Sequence, residues 1–207
     1  MRLSAIEDAY ADRVRVQWRA FPLIPGEQAG RRTTEKTREG RVRVGLEEPR
    51  ARFVPPALDI ALPSSSIPAL TAAKCAERQG PERFRRFHAA LFAIHFTDNA
   101  DISRPDVLLE IARRADLDVD RFRADYAGGE AYEAVLHDFA EGAGWFGVSA
   151  LPTVVFDEKL SLVGAVPEDR YRDTIEWMLA GEPGGMIALP SGPADAPTPG
   201  QSEVTAR

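Results

Sequence analysis

Four stretches of helical periodicity and a short linking segment, spread over residues 66–144, stand between two regions that read as strand, and this order constrains the fold more than any other feature of the sequence. "SIPALTAAKCAERQG" carries a stripe at Ala69, Ala72, Ala73 and Ala76, with Pro68 in its first turn and Gly80 as its stop. "ERFRRFHAALFAIHF" follows with Phe84, Phe87, Leu91 and Phe92, and "PDVLLEIARRADL" with Val107, Leu108 and Ile111. A short segment, "DVDRFRADYAGG", leads into "EAYEAVLHDFAEGAG", where Tyr132, Val135, Leu136 and Phe139 are spaced as one face. No strand interrupts them.

The flanks differ. "LSAIEDAYADR" reads as the end of an amphipathic helix on Leu3, Ile6 and Tyr10. "VRVQWRAF" alternates Val14, Val16, Trp18 and Ala20 against Arg15, Gln17 and Arg19, the period of a half-buried strand. Beyond the helical block, "TVVFD" and "LSLVG" form two strands joined at Glu158 and Lys159, and "PEDRYRDTIEWMLAG" is a helix opened by Pro167 and stopped by Gly181. Residues 26–62 are rich in Pro, Gly, Thr and Arg and are expected to be a long irregular excursion, either a solvated loop or an anion or substrate lid. From residue 182 onward, Pro, Gly, Ala and Ser without periodicity suggest a disordered tail.

Charge and composition exclude several functions. A net charge of −6 over 207 residues argues against general attraction to nucleic acid or anionic lipid, which need basic surface. No apolar run reaches the ~18 residues of a membrane span and no leader is visible, so the expected location is cytoplasmic. The single cysteine, Cys75, allows neither an intrachain disulfide nor a cysteine-rich zinc site. Cys75 reads as a small buried hydrophobe among alanines, with a lone redox or glutathione-accepting thiol as the alternative. His88 and His95 are too far apart in sequence for zinc pairing on one helix, and no metal is expected. "GAGWFG" has the letters of a dinucleotide fingerprint but follows a helix and precedes a strand, the wrong order. "DNADIS" lacks the acids and the glycine of a calcium loop.

Pro152 stands directly in front of the strand "TVVF", where it offers no ladder donor. With "VRVQWRAFPLIP" and the helical block from "AAKCAERQG" to "RRADLD", the words "GWFGVSALPTVVFDEKLSLVGAVPEDRYRDTI" resemble the DsbA-like branch of the thioredoxin fold. The resemblance implies an α/β thioredoxin-like fold carrying an inserted all-helical subdomain. Its core would occupy residues 1–65 and 128–181, its insertion 66–127, and its tail 182–207. It implies a cis Pro152 that shapes a groove, with Ala150, Leu151, Trp18 and Trp145 as substrate-binding residues. The family's Cys-x-x-Cys is absent, so no catalytic residue is assigned in this chain. The resemblance further implies a chain shortened at its N-terminus, or another segment in place of the first strand; "GRVRVGL" is the visible substitute.

The implied function is that of a DsbA-like thiol–disulfide oxidoreductase family member binding extended peptides or thiols, its catalytic pair missing. The alternatives are a non-catalytic binding protein and a glutathione-dependent isomerase or transferase of the kappa type. Expected partners are protein or small-molecule thiols and disulfides, with no nucleic acid and no membrane; no cofactor is expected unless glutathione. The oligomeric state is open.

Overall fold

The computed structural model describes residues 2–181, so the tail reading lies outside the described residues. Among the described residues, eight α-helices and one antiparallel hairpin are arranged around two apolar clusters. In chain order they are α1 (Arg2–Ala9), α2 (Glu35–Glu47), α3 (Ile67–Glu77), α4 (Pro81–Phe96), α5 (Pro105–Arg114), α6 (Val119–Ala127), α7 (Glu130–Ala140), β1 (Thr153–Phe156), β2 (Leu160–Val163) and α8 (Glu168–Leu179).

The larger cluster is helical, and α3 is its axis. Ala69 and every residue from Thr71 to Ala76 are buried, because α4, α5, α6 and α7 all pack around this one helix. Small alanine side chains permit such an approach; Phe87, Leu108, Ile111 and Phe122 fill the spaces between the helices. The buried face of α7 is rotated from the expected one: Ala131, Val135 and Asp138 point inward, while Tyr132 is exposed. Residues spaced i, i+4 and i+7 satisfy the same period as the aromatic stripe, and α3 has room only for the smaller set. Phe92 on α4 is likewise exposed.

The smaller cluster joins Ile6 of α1, Tyr10 just after it, Leu162 of β2, and Tyr171 and Ile175 of α8, with Val154 and Phe156 packed against it. A lone hairpin is marginal in water, so these two helices supply the surface that stabilises it. In its register, Val154 faces Leu162 and Phe156 faces Leu160, placing the apolar face inward and leaving Thr153, Val155, Ser161 and Val163 on the other. Arg2 ties α1 to the connection before α8 by donating to the carbonyls of Ala165 and Val166 at 2.7 and 2.8 Å.

Two expectations are corrected. Residues 14–21 form no strand: Val14, Val16 and Trp18 are half-buried and Ala20 buried against exposed Arg15, Gln17 and Arg19, yet no neighbouring strand exists among the described residues. The alternation records packing, Val14 on the small cluster and Trp18 on the large one, without a ladder. "GRVRVGL" is helix, lying inside α2. A capping box starts that helix, with Thr37 N–H donating to Thr34 Oγ1 and Thr34 N–H to Thr37 Oγ1, and the following Glu, Lys and Arg residues propagate it. The excursion through residues 26–62 is therefore ordered around a helix that buries none of its own residues.

Candidate functional site

The approach to β1 is exposed. α7 ends in a π-helical turn, Glu141–Trp145, that Phe21 presses against: a Cβ on Gly142 would sit 3.1 Å from the Phe21 ring. Glycine permits that approach, and Phe21 also meets Phe139 edge-on at 4.9 Å. Val148 N–H closes the turn onto the Gly142 carbonyl at 2.8 Å, and Gly147 takes φ +61°. The chain then crosses the surface at Ser149, Ala150, Leu151 and Pro152, all exposed.

The Leu151–Pro152 peptide bond is cis. Thr153 Oγ1 donates to the Ala150 carbonyl at 2.7 Å, and the Pro152 carbonyl accepts from Gly164 N–H at 2.7 Å, so both flanks of Leu151 are pinned. Among the described residues, neither the N–H nor the carbonyl of Leu151 has a hydrogen-bond partner. β1 pairs only with β2, leaving its other edge open among the described residues. Leu151 is 39% exposed and Trp145 77%. Free main-chain groups beside exposed apolar side chains are the elements by which an extended segment is held: the backbone supplies hydrogen bonds and the side chains supply contact area.

Trp18 is placed elsewhere. Its ring lies 5.3 Å from Phe84, 5.5 Å from His88 and 4.8 Å from Lys74 Nζ, at the edge of the helical cluster. Of the residues singled out in the sequence, Ala150, Leu151 and Pro152 are consecutive and exposed, Trp145 is exposed at the end of the preceding turn, and Trp18 serves packing between segment 14–21 and α3 and α4.

The sequence reading missed the ionic cluster beside Trp18. Lys74 of α3 and Asp138 of α7, both buried, meet at 2.8 Å; Arg19 reaches Asp138 at 3.2 Å, and Ala20 N–H donates to Asp138 Oδ2 at 2.8 Å. One carboxylate thus anchors segment 14–21 to the helical cluster. A charged residue in each of two otherwise apolar stripes, "TAAKCA" and "AVLHDF", was the available signal.

His137, Asp138 and Glu141 each offer one ligand atom within a 4.8 Å group. Lys74, Arg19 and the Ala20 N–H already occupy Asp138, and Arg19 also approaches Glu141 at 3.6 Å, so these carboxylates are engaged within the protein. Cys75 is fully buried; burial, reinforced by the Asp125 carboxylate, pushes its thiol up to about 12. Thiolate chemistry at neutral pH is closed to it in the folded state. Burial lowers His88 to about 4 and moves His95 in the same direction.

A family model described as a DSBA-like thioredoxin domain matches residues 1–176. Curated relatives include the ClpXP adapter protein SpxH of Halalkalibacterium halodurans, 32% identical over 132 residues that cover 61% of this chain and 42% of the relative. The protein of the same name from Bacillus subtilis is 32% identical over 126 residues, 58% of this chain and 42% of the relative. The chain spans about two fifths of the length of these relatives. Among solved structures, a probable DsbA oxidoreductase from Streptomyces coelicolor superposes with a TM-score of 0.73 over 96% of this chain and 92% of that one, at 22% identity. A putative protein disulfide isomerase from Nitrosomonas europaea gives 0.69 over 86% and 89%, at 19% identity. At these identities the likeness is one of fold.

Proposed function

This chain belongs to the DsbA-like thioredoxin family, and from that premise we propose that it binds an extended segment of a partner protein along residues 150–156 without a dithiol of its own. The carrying observation is the contrast between the two candidate groups. The sole cysteine is fully buried with its thiol pushed up to about 12, whereas Leu151 presents an unpaired N–H and carbonyl between exposed apolar side chains. A segment laid beside Leu151 and the open edge of β1 gains main-chain hydrogen bonds, worth ~0.5–1.5 kcal/mol each, and covers Leu151 and Trp145. That the curated relatives are adapter proteins favours binding over catalysis for this chain as well.

The test uses an unfolded protein as probe, reduced and carboxymethylated α-lactalbumin, with Cys75 replaced by Ala so that no thiol remains. Binding followed by amide exchange is expected to protect residues 150–156, and Leu151→Asp to weaken it roughly tenfold. Binding that requires a thiol, or protection located elsewhere, overturns the reading. A second reading, disulfide exchange, needs a cysteine pair that this sequence does not contain; the fold shared with the two solved oxidoreductase-type structures is what favours it. Reduction of insulin disulfides by this chain would establish that reading and displace the first.

A further inference from the structure

α2 is a helix whose apolar residues have no partner. It packs on no other helix or strand closely enough to bury a side chain; Leu46 is 79% exposed, and Val42 and Val44 are also open to solvent. It is nevertheless firmly placed. Thr34 and Thr37 cap it, Arg38 donates to the Pro56 carbonyl at 3.3 Å, Arg41 to that of Phe96 at 3.1 Å, and Gly45 lies against Phe53. Between α2 and the returning chain runs an open groove of about 450 Å³, floored by Val42, Gly45, Leu46, Phe53 and Pro55 and bordered by Arg50 and Arg52. Held rigid yet uncovered, such a patch marks an interaction surface.

The charge around it selects the occupant. Residues 31–55 carry eight cations against four acids, a net of +4 along this stretch of a chain whose net charge is −6, and the two cations that line the groove itself are Arg50 and Arg52. Arg50 is engaged by Glu48 and Glu168, but Lys36, Arg43 and Arg52 have no ion-pair partner among the described residues. We propose that the groove between α2 and residues 49–55 docks a protein segment bearing one or two bulky apolar side chains flanked by carboxylates. The apolar side chain enters between Leu46 and Phe53, and the carboxylates meet Arg52 at the rim and the exposed Arg43 that follows Val42 on α2. A second copy of the chain would set one cationic groove against another. A bilayer, being flat and broad, matches poorly a groove between a helix and a returning chain segment. The site is separate from the loop at Pro152, so the two assignments stand or fall independently.

The experiment is selection of random twelve-residue displayed peptides on the full chain, with affinities then read by fluorescence anisotropy. Selected peptides are expected to place Asp or Glu around Leu, Phe or Trp. Leu46→Ser and the double variant Arg43→Glu/Arg52→Glu are each expected to cost at least tenfold in affinity, and raising salt from 50 to 300 mM to weaken wild-type binding severalfold. All three side chains are exposed and make no internal bonds, so circular dichroism of the variants should match the parent. Amide exchange with peptide bound provides a second readout, with protection expected over residues 42–55. Peptides without acidic enrichment, no enrichment at all, or affinities unchanged in both variants overturn the proposal. So does self-association that Leu46→Ser abolishes, or retention on anionic phospholipid vesicles without peptide binding. Affinity that falls with Leu151→Asp and not with Leu46→Ser reports the Pro152 loop, and overturns the groove.

Discussion

At the scale of single residues, burial decides which polar groups can act. Cys75 combines full burial with a nearby carboxylate, and both raise its thiol to about 12. Its reaction with a thiol reagent at pH 8 should therefore be negligible in the native protein and complete in denaturant; rapid labelling of the folded chain would show that α3 is not packed as described. Asp138 is the opposite case, a buried charge that is fully engaged. Asp138→Ala strands the Lys74 ammonium and the Ala20 N–H, so a loss of about 3–5 kcal/mol is expected by urea denaturation. Lys74→Met should cost less, because Arg19 and Ala20 still satisfy the carboxylate. The double variant Lys74→Met/Asp138→Leu should recover much of the loss. If it is no better than Asp138→Ala alone, the pair is not coupled.

Between elements, legibility followed whether a sequence pattern had one physical cause or two. The helices could be read because 3.6-residue spacing, proline starts and glycine stops agree, as at Pro68 and Gly80 or at Pro167 and Gly181. The hairpin could be read because Val154 and Phe156 alternate against a short polar turn. Residues 14–21 have the same alternation without a ladder, since burial on two clusters produces period two as readily as pairing does. Val42 and Val44 alternate inside a helix because neither packs against anything that would impose a period. Of the candidate site, Ala150 to Pro152 could be read from the proline, whereas the partnering of Asp138 by Lys74 requires knowing which face of α7 turns toward α3. The hairpin turn carries its own prediction. Asp157 and Glu158 adopt φ +47° and +58°, a conformation that glycine enters without the Cβ clash. Glu158→Gly should raise stability by about 0.5–1 kcal/mol, read as a higher urea midpoint at constant m-value; a decrease would mean that the Glu158 side chain contributes more than its backbone costs.

Across the whole molecule, two kinds of titration act in separate pH windows. Burial among Trp18, Phe84 and Phe92 keeps His88 neutral in the folded state, at about 4 against 6.5 for the free side chain. Between those values the unfolded chain binds a proton that the folded chain does not, so stability falls as pH drops from about 6.5 and levels off near 4. The shift corresponds to about 3 kcal/mol if taken whole, and to about 2 once the partial exposure of the ring is counted. His95, moved in the same direction by burial and by Arg41, adds to the same window. Glu48, held at about 2 by Arg50 and Arg2, and Glu168, lowered by Arg172 and Arg50, lose their contribution only below the ordinary carboxylate range. Urea midpoints measured from pH 7.5 to 3 should therefore decline in two stages. His88→Phe keeps the aromatic packing and removes the titration, so it should flatten the upper stage and leave the lower one in place. An upper stage of unchanged depth in that variant would mean that His88 is hydrated in the folded protein, and that Trp18 does not seal segment 14–21 onto α4.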